Sequence, residues 1–375
     1  MRILVAAASL LAATLQSGAP AISATERASE AGVWEGSIGN LPVRACFNVH
    51  DWGTTGGYYY RSRLRAIALQ QSDEKKQIFV EGVAEPDPAT PRWLIERVDG
   101  GSLAGTWKKG ANTLPIALKR LELKEKESPC ASMLFQGPRL EGVRTIKKPA
   151  MKDGVSYTRL ILDHRGHFDK DIQVESFALN EEGPAAHAIN AELRKQLNGV
   201  DSWFECIRMA WDLGSDGYTG QTIFPRMISK RWLVVMDENG WFCGGAHPDD
   251  ANTPHLFDRL TGKEVDALQW FNAKAVKREK FEGDPDPAEM LQPAFRNFIL
   301  SGWKPQDDCG ESVRDADFWD AELTRTGFVF TPGLAHVEEA CEEPFRVPFA
   351  KLMPYLTPEG RRNVAALQAE AATKR

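Results

Sequence analysis

Six cysteines, Cys46, Cys130, Cys206, Cys243, Cys309 and Cys341, set the tightest limit on what this chain can fold into. All six follow an apolar N-terminal run, and an even number of cysteines in an exported chain favours disulfides over free thiols. Neighbour pairing, 46–130, 206–243 and 309–341, keeps each bridge inside one folding unit. Loop-closure entropy for bridges of this span is worth roughly 4 kcal/mol each at the upper end. Metal binding is the competing use of cysteine. No pair has the C-x-x-C spacing of a structural zinc site, so no metal is expected.

The leader itself reads MRILVAAASLLAATLQSGAPAISA. Arg2 supplies a positive start, and the apolar stretch from Ile3 to Leu15, about 13 residues, is too short to span a bilayer. Small residues follow, with cleavage expected after Ala21 or Ala24, so residues 1–24 read as a secretory signal peptide. No later stretch is long and apolar enough to span a membrane. The expected compartment is the periplasm or the outside of the cell. A net charge of −6 and a pI near 5.8, with scattered basic residues, argue against a nucleic-acid partner.

The fold class is α+β, an N-terminal all-β meander, barrel or sandwich domain followed by an α+β domain. Residues 25–124 carry short segments rich in β-branched and aromatic residues: VWEGSIG, LPVRACFNV, GGYYYRSRLRAIALQ, KQIFVEGV, PRWLIERV, SLAGTWKK and TLPIALKRL. Turn material punctuates them, including Gly39-Asn40, Gly53 to Gly57 and Asp99-Gly100-Gly101. Leu114, Ile116 and Leu118 alternate with Pro115, Ala117 and Lys119, which buries one face of that strand. Residues 125–152 show no periodicity and contain Pro129, Pro138 and Pro149, so they read as a linker stapled back by Cys130.

Residues 153–375 mix strands and helices. Strands are expected at 155–162, 171–179 and 203–211. Ile189, Leu193 and Leu197 form a helical stripe between the last two. RWLVVMDENGWFCGG predicts a hairpin turning at Asn239-Gly240. A helix is expected from Asp286 as N-cap and Pro287 at its first position. RTGFVFTPGL returns to strand, and helical turns close the chain.

The order of pieces in this second domain carries a family resemblance. "AIN" (188–190) starts a helix. "GGAHP" (244–248), "FDRLTGKEV" (257–265) and "WF" (270–271) follow a hairpin, and "FVFTPGL" (328–334) leads to "VPFAKLMPYL" (347–356). This resembles the extracellular domain of lysozyme-sensing anti-sigma factors, a domain also found beside some peptidoglycan deacetylase domains, over roughly residues 155–357. Asn usually follows GGAHP in that family, whereas Asp249 does here. The sequence contains no sigma-binding region or deacetylase domain. The resemblance therefore implies a fold and an envelope setting, with neither signalling nor deacetylation.

The stretch WFCGGAHPDD (241–250) concentrates the candidate site residues. Trp241, His247, Asp249 and His255 are the ligand-binding candidates. His247 has three uses: ordering its loop through a hydrogen bond to a nearby carbonyl, recognising a ligand, or acting as a general base or metal ligand with Asp249, Asp250 or His255. The prolines between His247 and His255 prevent both from sharing a helix face, and Gly244 and Gly245 give the loop freedom at positive φ, so the ordering role is expected. His164 and His167 read as solvated turn residues. Asp216-Gly217-Tyr218 lacks the alternating carboxylates of a calcium loop. No G-x-S-x-G elbow, H-E-x-x-H or phosphate loop occurs, so no residue is assigned a catalytic role and no cofactor is expected. Tryptophans at 34, 93, 107, 232 and 241 lie in strand-like segments, where core packing is the common use and sugar stacking the rarer one.

The leading functional expectation is a non-catalytic periplasmic protein of the cell envelope. Its partner would be an envelope glycan or an exported protein, a lysozyme-like enzyme among the candidates. The first alternative is a periplasmic hydrolase acting on peptidoglycan or another polymer, which would need paired carboxylates facing a cleft. The second is a structural or assembly factor.

Overall fold

A computed structural model of the chain describes residues 30–73, 77–82, 89–123, 128–141, 143–163, 172–198, 206–207, 209–211, 213, 217–280, 287–305 and 309–373. The expected signal peptide, His164, His167, Asp216 and Asp286 lie outside the described residues.

Eight antiparallel strands close into a barrel: β1 (Gly32–Ile38), β2 (Leu41–His50), β3 (Gly53–Tyr60), β4 (Ala66–Asp73), β5 (Ile78–Glu81), β6 (Arg92–Asp99), β7 (Ser102–Lys109) and β8 (Asn112–Leu121). β8 pairs back onto β1, which leaves no open edge. The period-two pattern explains its two cores. Trp34, Phe47, Tyr58, Leu69, Phe79, Trp93 and Leu118 point inward and fill the barrel. Their neighbours Val33, Cys46, Tyr59 and Ala68 point outward, yet they are buried too. They pack under Cys130, Phe135, Ile207 and Trp211. Both faces of β1 to β3 are therefore covered, which is why GVW, ACF and YYY read as continuous apolar runs.

The Gly53–Gly57 stretch is strand, not turn. At Gly57 an added Cβ would stand 2.1 Å from the Trp211 ring, so glycine is needed for the close approach of the covering segment. That segment, 206–211, is helical where described rather than a strand. Ile207, Ala210 and Trp211 recur at helical spacing and are buried against the barrel, while Met209 faces out.

The stretch read as a linker carries structure of its own. Residues 128–141 fold onto the barrel, where Asn48 Oδ1 accepts from the Cys130 N–H at 3.0 Å and the Tyr59 hydroxyl donates to the Phe135 carbonyl at 2.8 Å. The Arg44 guanidinium donates to the Leu134 carbonyl at 2.8 Å. β9 (Arg144–Lys152) then joins the second sheet as its edge strand. A polar edge strand bearing Lys147, Lys148 and Pro149 resists further pairing, and its two-sided exposure is why no alternation was visible.

That second sheet has seven strands in the order β15-β14-β13-β12-β11-β10-β9. They are β10 (Val155–Asp163), β11 (Ile172–Leu179), β12 (Tyr218–Ile228), β13 (Trp232–Phe242), β14 (Asp249–Asp258) and β15 (Lys263–Glu264) with β9. Only β11 and β12 run parallel, joined through a crossover containing α1 (Pro184–Asn198). Leu233 and Val235 pack toward Ile189 and Leu193 of α1. Trp232 and Val234 point to the other face, into the largest core. Asn239 and Gly240 lie inside β13 rather than at a turn, paired to β12 on one side and β14 on the other. A central strand satisfies its backbone groups on both edges by continuing, so the chain turns only at 243–248.

The remaining elements build onto that second face. β16 (Val276–Glu279) and β17 (Ala288–Leu291) form a ribbon, followed by α2 (Pro293–Ile299) and α3 (Cys309–Asp315). The expected helix thus begins at Pro293, not Pro287. Proline cannot extend the i→i−4 ladder from preceding residues but suits a first helical position. β18 (Phe318–Leu323), β19 (Gly327–Gly333) and β20 (Phe345–Pro348) form a three-stranded sheet, and α4 (Pro358–Thr373) closes the chain. The disulfides are Cys46–Cys130, Cys206–Cys243 and Cys309–Cys341, in neighbour order. No helix among the described residues is long and apolar enough to cross a membrane.

Candidate functional site

The motifs behind the family resemblance are largely a structural joint. In "AIN", buried Asn190 accepts from the Leu179 N–H at 2.7 Å and donates to the Leu179 carbonyl at 2.9 Å, pinning α1 to β11. In "FDRLTG", buried Asp258 is held by Arg231 at 3.0 Å and accepts from the Leu260 N–H at 2.9 Å. Gly262, at φ +75°, lets that turn press onto α1: a Cβ there would meet the Ala185 carbonyl at 2.7 Å.

Between β14 and β18 runs a groove made of two adjoining clefts, of about 440 and 600 Å³. Five carboxylates line the first: Glu264, Asp266, Glu289, Asp320 and Glu322. Six line the second: Asp249, Asp250, Asp320, Glu322, Glu339 and Glu342. Asp320 and Glu322 are shared, leaving nine carboxylates against two arginines, Arg226 and Arg346, in the second cleft. Arg226 is already paired with Glu322 at 3.1 Å.

Strand geometry produces this lining. Along β18, Trp319 and Leu323 are buried in the core while Asp320 and Glu322 alternate with them toward the groove. The short helix His336–Cys341 supplies His336 and Glu339 from the opposite rim. Crowded carboxylates shift accordingly. Desolvation in the concave groove, then the Glu342 charge, raises Asp320. Glu339 is raised by desolvation, then by Asp250. Glu289 is pushed up to about 7 by burial, then by Asp266, although Arg278 holds its other oxygen at 2.5 Å.

The sequence candidates fall along one side of this groove. Trp241 and Asp249 are cross-strand partners on β13 and β14, and both line the larger cleft. His255 lines the smaller one, its Nδ1 2.6 Å from Glu264. That hydrogen bond holds the imidazole above its ordinary range, against desolvation, and lowers Glu264. His247 stands at the exposed rim. Among the described residues its carbonyl contact is with neighbouring Pro248, at 3.4 Å. The ring stacks on His336 with centroids 4.3 Å apart and planes 10° from parallel.

Backbone and disulfide geometry also order the loop. Gly244 and Gly245 take φ +88° and +109°, backbone conformations that favour glycine, and a Cβ on Gly244 would also press on the Leu213 side chain at 2.7 Å. Cys243 ties the same turn to Cys206. Trp34, Trp93 and Trp232 are core residues, while Trp107 donates to Glu81 at 2.6 Å. The carboxylates of β18 and of 336–343 escaped sequence reasoning. The available signal was the period-two acid spacing in FWDAEL and the acidic run HVEEACEE.

No protein-family profile and no curated protein matches the chain. Several solved chains are similar to part of it, among them two DUF3298 family proteins. One is a member of the DUF3298 family from Bacteroides fragilis, 9% identical, covering 60% of this chain and 96% of its own, with a TM-score of 0.41. The other is a DUF3298 family protein from Pseudomonas aeruginosa, 11% identical, covering 59% of this chain and 98% of its own, with a TM-score of 0.35. At such identities and scores the likeness carries nothing about the site.

Proposed function

We propose that this is an exported, non-catalytic binding protein of the cell envelope whose acidic groove receives the basic surface of a partner protein. The observation that carries the reading is the nine-to-two excess of carboxylates over arginines along one groove. Concave, single-sign surfaces focus the field and speed association with partners of opposite charge. An anionic glycan would be repelled by the same lining. The leader and the three disulfides support the envelope setting, and the resemblance to lysozyme-sensing domains makes a lysozyme-like enzyme the first partner to try.

Calorimetry with a basic lysozyme, an acidic protein of similar size and soluble peptidoglycan fragments tests this. The expected result is salt-sensitive binding of the lysozyme alone, weakened at least about tenfold by the double change Asp320→Lys and Glu342→Lys, or about 1.4 kcal/mol. Binding of glycan fragments that the charge reversal leaves intact would overturn it. A hydrolase is the second reading, favoured by Glu289, which is pushed up to about 7 beside Asp266. It ranks second because that side chain is only 10% exposed and engaged by Arg278. Peptidoglycan cleavage lost in Glu289→Gln would move it first.

A further inference from the structure

We propose that Asp249, His336 and Glu339 form a divalent transition-metal site at the rim of the larger cleft, suited best to Zn2+. The ligand atoms of all three lie within 4.8 Å of one another. His336 Nδ1 is 3.2 Å from Asp249 Oδ1 and 3.1 Å from Glu339 Oε2. Four-coordinate zinc, with bonds of about 2.0–2.2 Å, places its ligand atoms roughly 3.3–3.6 Å apart. Both edges to His336 lie just below that spacing. An imidazole with two carboxylates matches zinc better than calcium or magnesium, which prefer all-oxygen sets. Three protein ligands leave the fourth position open toward the cleft.

The two segments that meet here are held independently of any ion. Asp249 opens β14 directly after the turn that begins at Cys243, which is bonded to Cys206. Glu339 lies in the short helix that ends at Cys341, bonded to Cys309 of α3. The Ser312 hydroxyl also donates to Glu338 at 2.7 Å, fastening that helix to α3 a second time. His247 stacks on the outer side of His336 but contributes no ligand atom to the cluster. Two carboxylates thus converge on one imidazole, and Asp250 lies beside Glu339. Sequence spacing could not reveal the site, because Asp249 and His336 are 87 residues apart.

The competing account is a plain hydrogen-bonded cluster, with the imidazole donating to the carboxylates. The experiment needs no partner protein, so its outcome is separate from that of the binding reading. Tag-free full chain, stripped with EDTA, is titrated with Zn2+ by calorimetry, and bound metal is quantified after dialysis. We expect one equivalent bound, weakened at least about tenfold in His336→Ala and in the near-isosteric Asp249→Asn, and retained at one equivalent in His247→Ala. Metal-free melting curves establish that each variant is folded. The proposal is overturned by absence of saturable binding to the wild-type chain. It is equally overturned if binding is undiminished in both ligand variants, or if His247→Ala alone abolishes it.

Discussion

His255 and Glu264 show how one contact sets opposite pH dependences on its two partners. The hydrogen bond raises His255 above its ordinary value of 6.5 and lowers Glu264 below its ordinary 4.5. A raised histidine adds stability that is fully present below 6.5 and is lost as pH climbs through the folded-state value. A lowered glutamate adds stability that is present above 4.5 and is lost as pH falls through its folded-state value. Both contributions coexist between 4.5 and 6.5. Both side chains are partly exposed, at 31% and 49%, so solvent screening keeps the effect small. Thermal melts of wild type and His255→Gln across pH should show the wild-type advantage greatest in that window and shrinking above 6.5. An advantage that grows with pH would contradict the assignment. At this scale His255 was visible in the sequence as a candidate, but its partner was not, because Glu264 reaches it only through the turn that pairs β15 with β14.

At the scale of elements, the joint between α1 and β11 is the clearest case of local sequence serving tertiary assembly. Ile189 and Leu193 supply the apolar stripe that seats the helix, and burial of each such side chain is worth about 1.5–3 kcal/mol. Asn190 sets the position along the strand by satisfying both backbone groups of Leu179. Replacing Asn190 with Ala should leave those buried groups unpaired and cost about 1–3 kcal/mol, measured as a lowered urea midpoint with unchanged slope. A change under about 0.5 kcal/mol, the scale of a neutral surface substitution, would show that water or another side chain takes over. The stripe was legible from its spacing alone. The misread elements share a cause: Asn239-Gly240 has strong turn chemistry and the described residues of 206–211 have strand-like composition, but the flanking strands decided the first and the barrel wall the second.

For the whole molecule, the packing of 128–141 and 206–211 on the outer wall of β1 to β4 couples barrel and second sheet into a shared core. The Cys46–Cys130 bridge lies within that layer and closes a separation of 84 residues. Loop-closure entropy assigns such a bridge roughly 4–5 kcal/mol. The double variant Cys46→Ala, Cys130→Ala should therefore unfold at markedly lower denaturant. Because the barrel is closed by its own hydrogen bonds, its strand signal in circular dichroism should persist under native conditions. Loss of that signal in the absence of denaturant would mean that the barrel depends on the bridge for its closure.

Period and punctuation by themselves determined the all-β character of the first domain, the buried face of β8, the strands β10, β11 and β19, and the helices α1 and α4. Cysteine order pointed to neighbour pairing among fifteen possibilities, and the structure has those three bridges. These features are local: a strand's alternation or a helix's stripe is written in consecutive residues, and neighbour pairing needs only chain order. Tertiary structure alone decided that the barrel closes and that its outer wall is buried. It also decided that 144–152 becomes an edge strand, and that Asp249 meets His336 and Glu339 across an acidic groove. Closure, coverage and convergence are relations between segments distant in sequence. They depend on which surfaces find each other once every backbone group must be paired and every apolar face covered, and no window of residues carries that information.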